Sequence, residues 1–314
     1  MRLASALLFS TAMFLGAAGA ARADTPNVVV SVKPIHSLVA SIMQGVGEPK
    51  LIVEGAASPH TYSMKPSNAA ALQDADIVFW VGHGLEAFLE KPLQALASGA
   101  TIVELEDAPG LTKLKFREGG AFETDDHAGE DPGGHEHAHE DGFDAHLWLD
   151  PMNAMAMAAA IEKTLSTQDP ANAVTYQANL SALNANIASL DKEVAETIAP
   201  VKDKPFIVFH DAYQYFEHRY GVRAVGSITV SPETMPGAER LSQIRQKVSE
   251  LGASCIFAEP QFEPKLINVV MEGTQARSGV LDPEGATLAA GPNLYIDLMR
   301  AMATSLRQCL GSGS

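Results

Sequence analysis

Three histidines and one aspartate in this sequence stand where short apolar runs end. His60 lies in "GAASPHTYSMKPS", His146 in "DAHLWLDP", His210 closes "FIVFH", and Asp282 closes "GVLDP". Their spacing forms no local motif, so whatever they do together depends on folding. In open α/β sheets the carboxyl ends of strands collect ligands. Two of the four residues come from each half of the chain, so a cleft between halves could gather all of them. Three imidazole nitrogens and one carboxylate oxygen form a suitable tetrahedral set for zinc.

Other histidines occupy different ground. His127, His135, His137 and His139 fall within residues 117–144, a segment rich in His, Asp, Glu and Gly with one basic residue, Arg117. So polar a segment buries too little surface to offset its ordering entropy and reads as a disordered surface insertion. His-rich tracts are a compositional signal for metal, so these four form an auxiliary set that captures metal weakly; the bland alternative is a solvated acidic loop. His36 follows a strand-like run and could face a cleft, though a structural or exposed place is the commoner reading; His83, at a strand end between glycines, could serve a cleft rim, with a structural place again the commoner reading. His218 reads as a surface residue, and Glu259 in "FAEPQF" as a group that tunes a ligand or makes a structural hydrogen bond.

The elements that must position these residues alternate. β-branched runs at 27–32, 49–55, 75–82 and 101–106 are separated by amphipathic stretches, and the pattern returns with runs at 204–210, 222–230, 253–260 and 278–283. Such alternation predicts an α/β fold with mostly parallel sheets flanked by helices. Between the halves, Tyr176, Leu180, Leu183, Ile187, Leu190, Val194 and Ile198 follow helical spacing. Asp169 and Pro170 supply a start and Pro200 a stop. One long helix over 169–200 is expected, with two helices and a break as the alternative. The expected organisation is an N-terminal lobe (24–168), this linking helix, and a C-terminal lobe (201–314).

Residues 1–23 read as a secretory signal peptide: Arg2, an apolar run from Leu3 to Ala18, and a small-x-small site at Ala21–Ala23. Without Arg2 and Arg22 the 22 basic residues become 20 against 38 acids, a formal charge of −18. That balance disfavours nucleic acid and anionic membranes and attracts cations. A soluble periplasmic protein is expected. In an oxidising compartment the two cysteines, Cys255 and Cys309, read as one disulfide pinning the last helix to the second sheet. A two-cysteine metal site would lack further thiolates.

The ordered set "GAASPHTYSMKPS", "ADIVFWVGHGLEAFLE", "DAHLWLDP", "FIVFHDAYQYFEHRYG", "FAEPQF" and "LDPEG" resembles the zinc-binding periplasmic components of bacterial ABC importers, a cluster that also holds manganese-binding and adhesin-type lipoproteins. The resemblance runs along nearly the whole mature chain. It implies two α/β lobes joined by one long helix, with metal in the cleft. It carries ligand roles onto His60, His146 and His210, with Asp282 the expected fourth ligand, a place another carboxylate or water can also fill. Manganese-type members carry a carboxylate where His210 stands, so the resemblance favours Zn2+. The acidic His-rich insertion and the cysteine pair also match zinc-type members, whereas the lipid-site cysteine of the adhesins is missing. Implied partners are an inner-membrane ABC permease with its separate ATPase and a periplasmic zinc chaperone, and the protein is expected to be a monomer. A rival zinc hydrolase, with Asp211 as general base, lacks HExxH, GxSxG and phosphate-loop motifs. A metal buffer that never meets a transporter is the second rival.

Overall fold

The computed structural model describes residues 25–117, 142–229, 232, 236–250, 255–263 and 265–311. The expected signal peptide and the four insertion histidines lie outside the described residues.

Each half contributes one four-stranded, wholly parallel sheet. Strands β1 (Val28–Val30), β2 (Lys50–Leu51), β3 (Ile77–Trp80) and β4 (Thr101–Glu104) take the order β2-β1-β3-β4. Strands β5 (Phe206–His210), β6 (Ala224–Thr229), β7 (Cys255–Ala258) and β8 (Arg277–Val280) repeat it as β6-β5-β7-β8. Seven of the eight expected runs contain a strand shorter than the run, and the eighth, 278–283, overlaps β8, which begins one residue earlier at Arg277. In both sheets the strand order reverses at the central pair, β1/β3 and β5/β7. A crevice opens there at the carboxyl ends.

The helices are α1 (Lys33–Ile42), α2 (Pro66–Gln73), α3 (Glu90–Leu96), α4 (Pro151–Gln168), α5 (Ala173–Ile198), α6 (Gln214–Tyr220), α7 (Ala238–Glu250), α8 (Lys265–Met271) and α9 (Leu294–Gly311). α5 is the long linking helix. Its 26 residues span roughly 39 Å at 1.5 Å each. It is somewhat shorter than expected because both ends tighten into 3-10 turns, Pro170–Asn172 and Ala199–Val201. Tyr176, Leu183, Ile187, Leu190, Val194 and Ile198 are buried along it, and α5 packs against α1, α4 and α9. One apolar cluster therefore runs from β1 through α5 to α9, with a smaller one beneath α7 and α8. α4 was not anticipated. Asp150 caps it by accepting from Met152 N at 2.9 Å, Pro151 opens it, and its Ala- and Met-rich body favours helix through propensity more than through an apolar stripe. Cys255 and Cys309 are joined by a disulfide that ties β7 to α9.

Polar bonds knit the halves beside the long helix. Lys33 Nζ, from the first half, donates to the carbonyls of Gly285, Ala286 and Leu288 at 3.1, 2.9 and 3.0 Å. Trp148 Nε1 donates to Pro283 O at 2.8 Å, and Tyr295 Oη returns to Trp148 O at 2.9 Å. Ser37 and Ser41 hydroxyls both donate to Pro292 O.

The crevice of the first sheet is filled by a carboxyl group from the chain itself. Glu86 is fully buried and accepts from Ser31 Oγ after β1 and from Val81 N and Gly82 N after β3. Burial raises its pKa to about 7 despite these donors. The folded state therefore holds a proton that the unfolded chain releases near pH 4.5, and stability falls as pH rises from there to about 7. In urea titrations, the stability of Glu86→Gln relative to the parent should rise by about 3 kcal/mol between pH 4 and pH 8. A difference independent of pH would contradict this.

Candidate metal site

His60, His146 and His210 arrive from three separate segments. His60 sits in the 3-10 turn Pro59–Thr61 beyond β2, where Pro59 helps to set the bend. His146 stands immediately before the 3-10 turn Leu147–Leu149, whose three apolar side chains are buried. His210 is the last residue of β5, at the carboxyl end beside β7. His146 Nε2 lies 3.4 Å from His60 Nε2 and 3.3 Å from His210 Nε2. Among the described residues this trio is the only group of three His, Cys, Asp or Glu whose ligand atoms all fall within 4.8 Å of one another. Ligand atoms held by zinc at 2.0–2.1 Å in a tetrahedron stand about 3.3–3.4 Å apart. Two edges of such a tetrahedron are therefore already set by the protein.

Two of the rings are oriented by carboxylates. Asp144 Oδ1 accepts from His146 Nδ1 at 2.7 Å and from His146 N at 3.0 Å. Glu259 Oε1, just beyond β7, accepts from His210 Nδ1 at 2.7 Å. An ionised carboxylate only accepts, so the Nδ1 atoms carry protons and each Nε2 turns its lone pair inward. Burial and the two neighbouring imidazoles hold His60 well below the usual histidine range, so it stays neutral and able to ligate. For His210, burial opposes the proton, but Glu259 outweighs it and the pKa is raised. A proton on His210 competes with metal there, so acidification weakens binding.

Asp282 is not part of the trio. Its Oδ1 accepts from Gln261 Nε2 at 3.1 Å and Glu284 N at 3.3 Å, and its Oδ2 from Thr287 N at 3.3 Å. His83 is exposed and pairs with Glu90 at 2.9 Å, away from the trio. His36 is buried with Nε2 3.0 Å from Pro49 O, a structural role. His218 is exposed on α6. Glu259 orients the His210 ring, in keeping with the tuning role that was one of its two readings. Asp144 was missed, although its place two residues before a histidine in "DAH" was a usable sign. Within the expected loose segment 117–144, Arg117, Phe143 and Asp144 are among the described residues and make specific bonds.

Two parallel-sheet lobes braced by one helix, with three imidazoles from both lobes converging, define a two-lobed metal-binding receptor. Residues 28–309 match the family described as zinc-uptake complex component A, periplasmic (ZnuA). The high-affinity zinc uptake system protein ZnuA of Brucella abortus (strain 2308) is 51% identical, with 97% of this chain and 98% of the relative covered. The Yersinia pestis protein of the same name is 37% identical over 98% and 96%. A solved ZnuA deletion mutant with zinc bound superposes with a TM-score of 0.74 at 26% identity, covering 91% of this chain and 98% of that one. The chain belongs to the ZnuA family of periplasmic zinc-uptake components.

Alanine at His60, His146 or His210 should abolish tight zinc binding in chelator-competition titrations, and Asp144→Asn or Glu259→Gln should weaken it about 10- to 100-fold. Affinities within two-fold of the parent for the Asp144 and Glu259 variants would show that these carboxylates do not support the ligands.

Proposed function

We propose that this protein captures zinc in the periplasm and delivers it to a membrane permease powered by a separate ATPase. The observation that carries the reading is the convergence of three histidines, with His146 Nε2 at the edge length of a zinc tetrahedron from both His60 Nε2 and His210 Nε2. Three nitrogens favour zinc over harder cations such as manganese, which prefer oxygen. His60, His146 and His210 hold the ion. Asp282 is the fourth ligand in this reading and would exchange its bond from Gln261 for the metal; water is the alternative occupant. His127, His135, His137 and His139 form the weaker capture set. Residues 1–23 are removed on export, leaving lobes at 24–168 and 201–314 about the helix. The mature protein acts as a monomer and receives zinc from a periplasmic chaperone or from solution.

The family is a transport component, and the chain is a binding protein rather than an enzyme. Asp211, the general base a hydrolase would need, is instead held by Arg117. No helix among the described residues is long and apolar enough to cross a membrane.

Calorimetry on the chain from residue 24 onward should show one tight zinc site plus weaker binding. Deleting residues 118–141 should remove only the weaker part. Loss of the tight site on that deletion would overturn the division of labour. In cells, deleting the gene should slow growth under zinc starvation with restoration by added zinc, whereas unimpaired uptake would favour buffering over delivery.

A further inference from the structure

The two ends of the insertion form a stem, and that stem is fastened to the opposite half of the protein. Lys115 and Phe143 pair across it as an antiparallel bridge, and Lys113 Nζ lies 4.1 Å from the centre of the Phe143 ring. From α6, Tyr215 Oη accepts from Leu114 N at 3.1 Å and donates to Asp144 O at 2.7 Å. Gln214 Nε2 donates to Asp144 Oδ2 at 3.3 Å. The carboxylate that orients His146 is thus itself held by the C-terminal half.

Arg117 is the strongest of these fastenings. Its Nε donates to Asp211 Oδ2 at 2.9 Å, and its Nη2 donates to Asp211 Oδ1. Its Nη1 and Nη2 donate to Glu217 Oε2 and Oε1, both at 2.9 Å. One planar guanidinium therefore makes two bidentate pairs, a geometry lysine cannot reproduce. Asp211 directly follows His210. Glu217 also accepts from Ala224 N at 2.9 Å, which ties the clamp to the start of β6. Without the guanidinium, two largely buried carboxylates would face one another beside His210.

We propose that Arg117 is a positioning residue for the metal site: it locks the backbone carrying His210 against the stem carrying Asp144 and His146, and so slows loss of the ion. The inference rests on the zinc-capture reading. It makes the base of the insertion part of the tight site, while the insertion beyond it remains dispensable for that site.

The test uses the mature full chain with Zn2+ and, as a spectroscopic probe, Co2+. Stopped-flow release of Zn2+ to excess chelator should be about ten-fold faster in Arg117→Ala, with an altered Co2+ visible absorption band. Arg117→Lys, which keeps the charge and loses the fork, should recover part of the slow release. It also carries the test if the alanine variant does not fold. Folded variants with release rates and Co2+ spectra matching the parent would overturn the proposal. So would a lowered melting temperature with unchanged release, which marks a purely structural residue. Absence of a tight zinc site in the parent protein would instead overturn the zinc reading itself.

Discussion

Three imidazole nitrogens are held within 4.8 Å of one another, with His146 at 3.4 and 3.3 Å from the other two, and much of the fold is arranged around that constraint. Such an arrangement is unfavourable by itself. Protonating any one ring places a charge among buried neighbours, which is why His60 is driven well below its ordinary pKa. Leaving all three neutral crowds three lone pairs together. A divalent cation relieves both problems at once, since each ligand must be deprotonated and each lone pair gains a partner. Asp144 and Glu259 keep the rings from rotating away when no cation is present.

Holding groups from residues 60, 146 and 210 to a few tenths of an ångström demands that the lobes be braced against each other. α5 does this over the length of the molecule by packing on helices from both halves. Trp148, placed two residues after His146, bonds to Pro283 and Tyr295 of the second half. Lys33 gathers three carbonyls of the loop that begins at Asp282. Because polar bonds and apolar core both cross the boundary, wide hinge motion would cost many contacts together.

The sheets and most helices were legible because their signals are local: β-branched runs, helical stripes, and proline at the boundaries. The place of His210 at a strand end followed from the same signals, since it closes the run "FIVFH". What escaped detection depends on neighbours distant in the chain. Helix α4 carries propensity without a strong stripe. Asp144 looks like one more acid at the edge of an acidic insertion until Gln214 and Tyr215 are seen to hold it. Arg117 looked like a stray charge because its partners, Asp211 and Glu217, lie about a hundred residues away. Asp282 shows the opposite limit: its place after a strand is readable, but its side chain is drawn into bonds with Gln261, Glu284 and Thr287 that no local pattern announces.

The most direct test of the account is X-ray absorption on the mature protein loaded with one equivalent of zinc. The expected spectrum shows three imidazole nitrogens and one further light ligand at about 2.0–2.1 Å, unchanged when residues 118–141 are deleted. Fewer than three imidazoles, or a zinc environment that changes with that deletion, would contradict a tight site built from His60, His146 and His210.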